Sequence, residues 1–176
     1  MVLPASLLVD RAEGGNLVVD PPRPVWDRSA LTREEHIAWS FLVAAAGEAM
    51  MLALPQLEGG CINYWDAGNW ALNDAAHPVG RKTARLHRRL HLPLLGRNPS
   101  SANPDLAWGE SPVFPRYRER LSWSDGKAAL SAKECCAIVE RTEALLPGKY
   151  AMQQGRWSDC AACGYPAPDG AHGCAQ

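Results

Sequence analysis

Apolar positions recur at helical spacing in two stretches of the chain and gather into short continuous runs elsewhere. Ile37, Phe41, Ala45, Ala49 and Leu52 repeat every three or four residues with alanines between them, which predicts a long helix with a close-packing face. Thr32-Arg33-Glu34-Glu35 has capping-box spacing and starts this helix, and Pro55 ends it. Met50 and Met51 on it read as core filling. Ser131-Ala132-Lys133-Glu134 repeats the box, and Cys135, Ile138, Val139, Thr142, Leu145 and Leu146 follow. A second amphipathic helix is expected there, closing at Pro147-Gly148.

The short runs predict strands. Residues 4 to 9 and 16 to 20 flank Asp10-Arg11-Ala12-Glu13-Gly14-Gly15, the pattern of two strands around a glycine-bearing reversal, and the prolines from Pro21 onward stop the second. Cys61 to Trp65 is a third, with a turn over Asp66 to Asn69. Arg89 to Arg97 reads as a buried strand with Leu90, Leu92, Leu94 and Leu95 apolar. Strand side chains alternate, so Arg89, His91, Pro93 and the earlier His87 share the other face. Residues 74 to 88 read as an inserted loop. Residues 98 to 126 read as irregular, with a short strand near Pro112 to Phe114, Trp108-Gly109-Glu110 as a local anchor and Trp123 packing long loops. The predicted strands and helices fall within residues 1–150, and the second amphipathic helix is the last of them.

Composition narrows the function classes. A length of 176 residues suits one domain with a proper core plus a small appendage. The net charge of -1 provides no overall field for nucleic acid or an anionic membrane, so neither is an expected partner. No run approaches the roughly 20 apolar residues of a bilayer span, and no charged segment precedes an apolar N-terminal core. A cytoplasmic protein with reduced cysteines is expected, with Cys61, Cys135 and Cys136 as small core residues.

The tail over 151–176 carries Cys160, Cys163, His172 and Cys174. Two thiolates two residues apart can grip one tetrahedral zinc that the His-Gly-Cys would close, so a small zinc knuckle stands beside an unstructured tail as alternatives. His77, His87 and His91 fit no compact metal-ligand spacing.

Candidate chemistry centres on His91. Its imidazole can act as nucleophile or base, and Arg89 beside it can fork two hydrogen bonds onto phosphate oxygens. Arg81, Lys82, Arg85, Arg88, Arg89 and Arg97 gather around it, which favours an anionic small ligand.

Taken together, Gly15-Asn16-Leu17-Val18-Val19 with its prolines and capped helix, Asn63 with Gly68-Asn69-Trp70-Ala71, and Leu90-His91-Leu92-Pro93-Leu94-Leu95-Gly96-Arg97 resemble the histidine triad family of nucleotide-binding hydrolases and transferases. The resemblance implies an α+β fold over residues 1–150, with a HIT-like antiparallel sheet, a long helix packed on it and a second C-terminal helix, and it implies a homodimer and no cofactor for the core. It implies attack by His91 on the α-phosphorus of a nucleoside phosphate anhydride or phosphoramidate, with turnover like that of diadenosine polyphosphate hydrolases. Asn63 matches the family's asparagine ahead of the triad, and Gly68-Asn69 lies where backbone amides and a polar side chain approach the phosphate. His87 extends the polar row, and Arg97 adds positive charge to the set expected to bind phosphate. Two triad positions depart from the pattern: Arg89 stands first and Pro93 third. Proline has no hydrogen-bond donor, so a nucleotide-binding module without turnover is the alternative reading.

Overall fold

The computed structural model describes residues 1–4 and 6–152. Its regular elements are β1 (Asn16–Val19), α1 (Arg33–Ala53), β2 (Cys61–Tyr64), α2 (Ala84–His87), β3 (Leu92–Arg97), α3 (Arg120–Ser124) and α4 (Ala132–Gly148), with short 3₁₀ turns between them. The architecture is α+β. β3 is the central strand of a three-stranded sheet, antiparallel to β1 on one side and β2 on the other.

Both predicted capping boxes are formed in full. The Glu35 N–H donates to Thr32 Oγ1 at 3.2 Å and the Thr32 N–H to Glu35 Oε2 at 2.8 Å. At α4 the Glu134 N–H donates to Ser131 Oγ at 3.3 Å and the Ser131 N–H to Glu134 Oε2 at 2.8 Å. Each box satisfies two N–H groups that a helix start leaves without partners.

Alternation along β3 divides the molecule into two sides. Leu92 and Leu94, with Leu17, Val19 and Ile62 on the neighbouring strands, face a core completed by Trp39, Ala46, Ala49 and Met50 of α1 and Ile138 of α4. Leu95 faces the other way, into a smaller cluster with Leu8, Val9 and Leu106 that Trp70 and Phe114 flank. Burial on both faces explains why this strand reads as a continuous apolar run.

The phase of α1 differs from the expected one. Ala45 and Ala49 are buried, but Ile37 and Leu52 are exposed, and Trp39, Ala46 and Met50 take the core positions instead. Apolar residues lie nearly all round this helix, so spacing alone does not select one face. Met50 fills the core as expected, whereas Met51 is exposed. With 21 residues, α1 also reaches the length and apolarity of a bilayer-crossing helix, contrary to the expectation that no run does; here it lies against the sheet and α4.

The described residues among 4 to 9 do not form the expected strand. Asp10 caps a 3₁₀ turn over Arg11–Glu13, and the N–H groups of Leu8 and Val9 go to the Asn16 side chain rather than to a ladder. Pairing at this edge shrinks to one bridge between Val2 and Val18. No strand forms at Pro112 to Phe114 either. Residues 98 to 126 contain 3₁₀ turns at Pro104–Leu106 and Tyr117–Glu119 and then α3. Trp108, expected as an anchor, is exposed, while Trp123 ties loops as predicted, donating from Nε1 to Leu8 O at 3.1 Å. Cys61 is exposed, contrary to the expectation of a core residue, whereas Cys135 is half-buried and packs against the core.

One close approach and one interrupted pairing position the sheet. A Cβ on Gly96 would lie 2.6 Å from three backbone atoms of Gly14, so the turn before β1 packs directly on β3. Pro93 occupies a central strand, where proline is normally excluded. It is tolerated because the break falls at the end of β2. The Trp65 N–H donates to Pro93 O at 3.2 Å, the return bond cannot form, and β2 stops at Tyr64.

Candidate functional site

Past the end of β2 the chain stays beside β3 long enough for Ala67 to bridge His91, its N–H donating to His91 O at 2.9 Å. Gly68 then turns away with φ 117, and a Cβ there would lie 2.6 Å from Arg89 O. Only glycine fits this crossing, which sets the 66–70 loop against the entry to β3. Between that loop, the sheet face carrying His91, Pro93 and Val18, and the N-terminal segment lies a cavity of about 430 Å³, within the range of small-molecule sites.

Five of the predicted site residues meet there: His91, Arg89, His87, Gly68 and Asn69 all line the cavity. His87 arrives by another route than expected. It ends the short helix α2 rather than extending the strand, and its Nδ1 sits 3.1 Å from both the N–H and the carbonyl of Thr83. Arg89 is exposed at the rim, with one guanidinium nitrogen donating to Arg88 O at 2.8 Å.

His91 Nδ1 lies 3.1 Å from Arg89 O. A carbonyl only accepts, so this contact is a hydrogen bond only with the proton on Nδ1, and in the neutral ring that tautomer has its lone pair at Nε2. That is the form in which imidazole attacks an electrophile.

Asn63 and Arg97 are not brought to the cavity. Arg97 is buried, donating to Asn63 Oδ1 at 2.7 Å and to the carbonyls of Ala107 and Glu110 at 2.8 and 3.0 Å. The pair clamps the 104–110 loop under the sheet. The Arg97 charge is used on carbonyl dipoles, away from the cavity lining and not among the phosphate-binding groups expected there.

Residues that the pattern did not single out hold the site together. Arg88 donates to Asn69 Oδ1 at 3.1 Å, to Ala67 O at 3.3 Å, to Asp27 Oδ2 at 3.2 Å and to Trp26 O. Ser29 hydrogen bonds, and then Arg88, hold the Asp27 carboxyl below the usual carboxylate range against desolvation. Arg28 grips Asp66 with two 2.6 Å bonds and lies over the Trp39 ring. Both arginines thus pin the 66–69 loop to the 26–28 segment. In the sequence Arg88 is one cation in a basic run, and nothing in spacing separates it from its exposed neighbours. Trp65 and Trp70 supply aromatic walls; Trp65 stacks on Phe114 with ring centroids 4.9 Å apart.

The predicted zinc ligands Cys160, Cys163, His172 and Cys174 lie outside the described residues. Among the described residues no group of three or more His, Cys, Asp or Glu side chains is placed to hold a metal ion. No protein-family model, curated protein or solved structure matches the chain.

Proposed function

We propose that the protein is a histidine triad-like nucleotide hydrolase or nucleotidyl transferase that works through His91. The observation that carries this reading is the imidazole on a cavity wall, its Nδ1 tied to Arg89 O and its Nε2 left as a nucleophile. In the proposed step Nε2 attacks the α-phosphorus of a nucleoside phosphate anhydride or phosphoramidate. A P–N bond to the ring forms, the P–O or P–N bond to the leaving group breaks, and the leaving group departs with its electron pair, an amine leaving group taking a proton from solvent. Water then attacks the nucleotidyl-histidine, giving a nucleoside monophosphate and restoring the ring. The Arg89 guanidinium and the Asn69 amide are the donors at hand for the charge that builds on the phosphoryl oxygens.

One feature favours a second reading. Pro93 stands on the cavity wall one strand repeat from His91 and has no donor for a leaving group, which suits a module that binds nucleotide without turning it over. Hydrolysis of diadenosine polyphosphates and adenosine phosphoramidate by the wild type and by His91→Ala separates the two. The enzyme reading requires a rate that falls at least a hundredfold in the variant. Nucleotide binding with equal, background rates would leave the binding module.

A further inference from the structure

Trp65 is the first residue past the end of β2, and the sheet fixes where its side chain lies. Its N–H donates to Pro93 O at 3.2 Å, and two residues on Ala67 bridges His91. Residues opposite one another on antiparallel strands put their side chains on the same face. Trp65 therefore shares the cavity face with Pro93 and His91 and stands diagonally from His91, roughly 7–8 Å away on a regular ladder. Val18 pairs with Pro93 from the other side, so a valine, a proline ring and an indole form one row beside the imidazole.

The indole is braced on one face. Phe114 stacks on it with ring centroids 4.9 Å apart and planes 11° from parallel, and Phe114 is itself packed against the cluster of Leu8, Val9, Leu95 and Leu106. What remains is the other face and the ring edge, and Trp65 is 39% exposed while lining the cavity. Trp70, also on the cavity wall, is half-buried, packed on the same cluster and edge-on to Tyr117. Of these two indoles, Trp65 has the more surface to offer a ligand. An aromatic ring laid on it would extend an existing stack, and because the side chain is already held, little protein entropy is lost.

We infer that Trp65 is a substrate-binding residue that stacks on the nucleobase of the nucleotide whose phosphorus His91 attacks. The inference rests on the nucleotide reading above. Stacking uses the π-face that every base has, not a hydrogen-bonding edge. Trp65 thus selects nucleotides over bare sugar phosphates, and purines, which cover more of the indole, over pyrimidines.

The test is calorimetric titration of the wild type, Trp65→Leu and Trp65→Phe with ribose 5-phosphate, adenosine 5′-monophosphate and uridine 5′-monophosphate. The wild type is expected to bind the adenosine nucleotide at least about tenfold more tightly than ribose 5-phosphate, with the uridine nucleotide between them. In Trp65→Leu, which keeps an apolar side chain but no ring, that preference should vanish, and Trp65→Phe should restore most of it. If Trp65→Leu keeps the preference, or if the wild type binds all three equally, the inference fails and the nucleotide reading stands. If the wild type binds none of the three, both fall. Should Trp65→Leu not fold, 5,6-dihydrouridine 5′-monophosphate, whose base is no longer aromatic, decides on the wild type. It must bind about as weakly as ribose 5-phosphate, and binding equal to that of the uridine nucleotide overturns the assignment.

Discussion

Arg88 Nε donates to the Asn69 carbonyl oxygen across 3.1 Å, which turns the Asn69 NH₂ away from Arg88 and makes it available to the cavity. The same guanidinium reaches the carbonyls of Trp26 and Ala67 and the Asp27 carboxylate. One side chain therefore sets both the path of the 66–69 loop and the polarity that the loop presents. Arg88→Lys retains the charge but not the planar fork. It should lower affinity for nucleoside monophosphates roughly tenfold and stability by about 1 kcal/mol, because half-buried acceptors lose their donors. Titration calorimetry and urea melts check this; unchanged affinity would mean that the loop keeps its shape without the fork.

Asn63 and Arg97 carry the opposite expectation. Asn63→Ala leaves a buried guanidinium nitrogen of Arg97 without its side-chain acceptor, so stability should fall by about 1–3 kcal/mol. Nucleotide affinity should not change. A selective loss of affinity at constant stability would return Asn63 to the site.

Gly96 sits against the Gly14 backbone with no room for a methyl group. Gly96→Ala should cost about 3 kcal/mol as the turn and β3 are forced apart. Urea denaturation measures it, and a cost under about 0.5 kcal/mol would show that the turn yields freely.

Acid should weaken the start of α4. Desolvation pushes the Glu134 carboxyl up, but hydrogen bonds from Ser131 and Arg11 override it and bring the group down to about 2 from an ordinary 4.5. A folded pKa below the unfolded one means that Glu134 stabilises the fold fully above about pH 4.5, and that this contribution is lost as pH falls toward about 2. Glu134→Gln should be less stable than the wild type at neutral pH and lose less stability across that window. Parallel acid limbs for the two proteins would show that Glu134 does not carry the effect.

Elements governed by local chemistry were legible in the sequence. Thr32 with Glu35 and Ser131 with Glu134 announce two helices, and both boxes form atom for atom, because the partners are three residues apart and need no tertiary context. The apolar run through Leu92, Leu94 and Leu95 likewise marks the central strand. What failed depends on partners distant in the chain. Asn63 and Arg97 read as phosphate ligands until their 34-residue separation closes into one hydrogen bond. Residues 4 to 9 form an apolar run that suits a strand, but Asn16 takes the N–H groups of Leu8 and Val9 that a ladder would need. His87 keeps its predicted place in the site although the strand that was to deliver it is a helix. A polar residue opening an otherwise apolar strand was the available signal for Asn16, since a buried amide needs a reason.

In the proposed mechanism His91 Nε2 bonds covalently to phosphorus during turnover. Intact-protein mass spectrometry after rapid base quench of the wild type with adenosine phosphoramidate tests it most directly. The account predicts a transient gain of one adenylyl group, located on His91 by peptide mapping and absent in His91→Ala. Turnover that depends on His91 with no such adduct at any quench time, or an adduct on another residue, would contradict it.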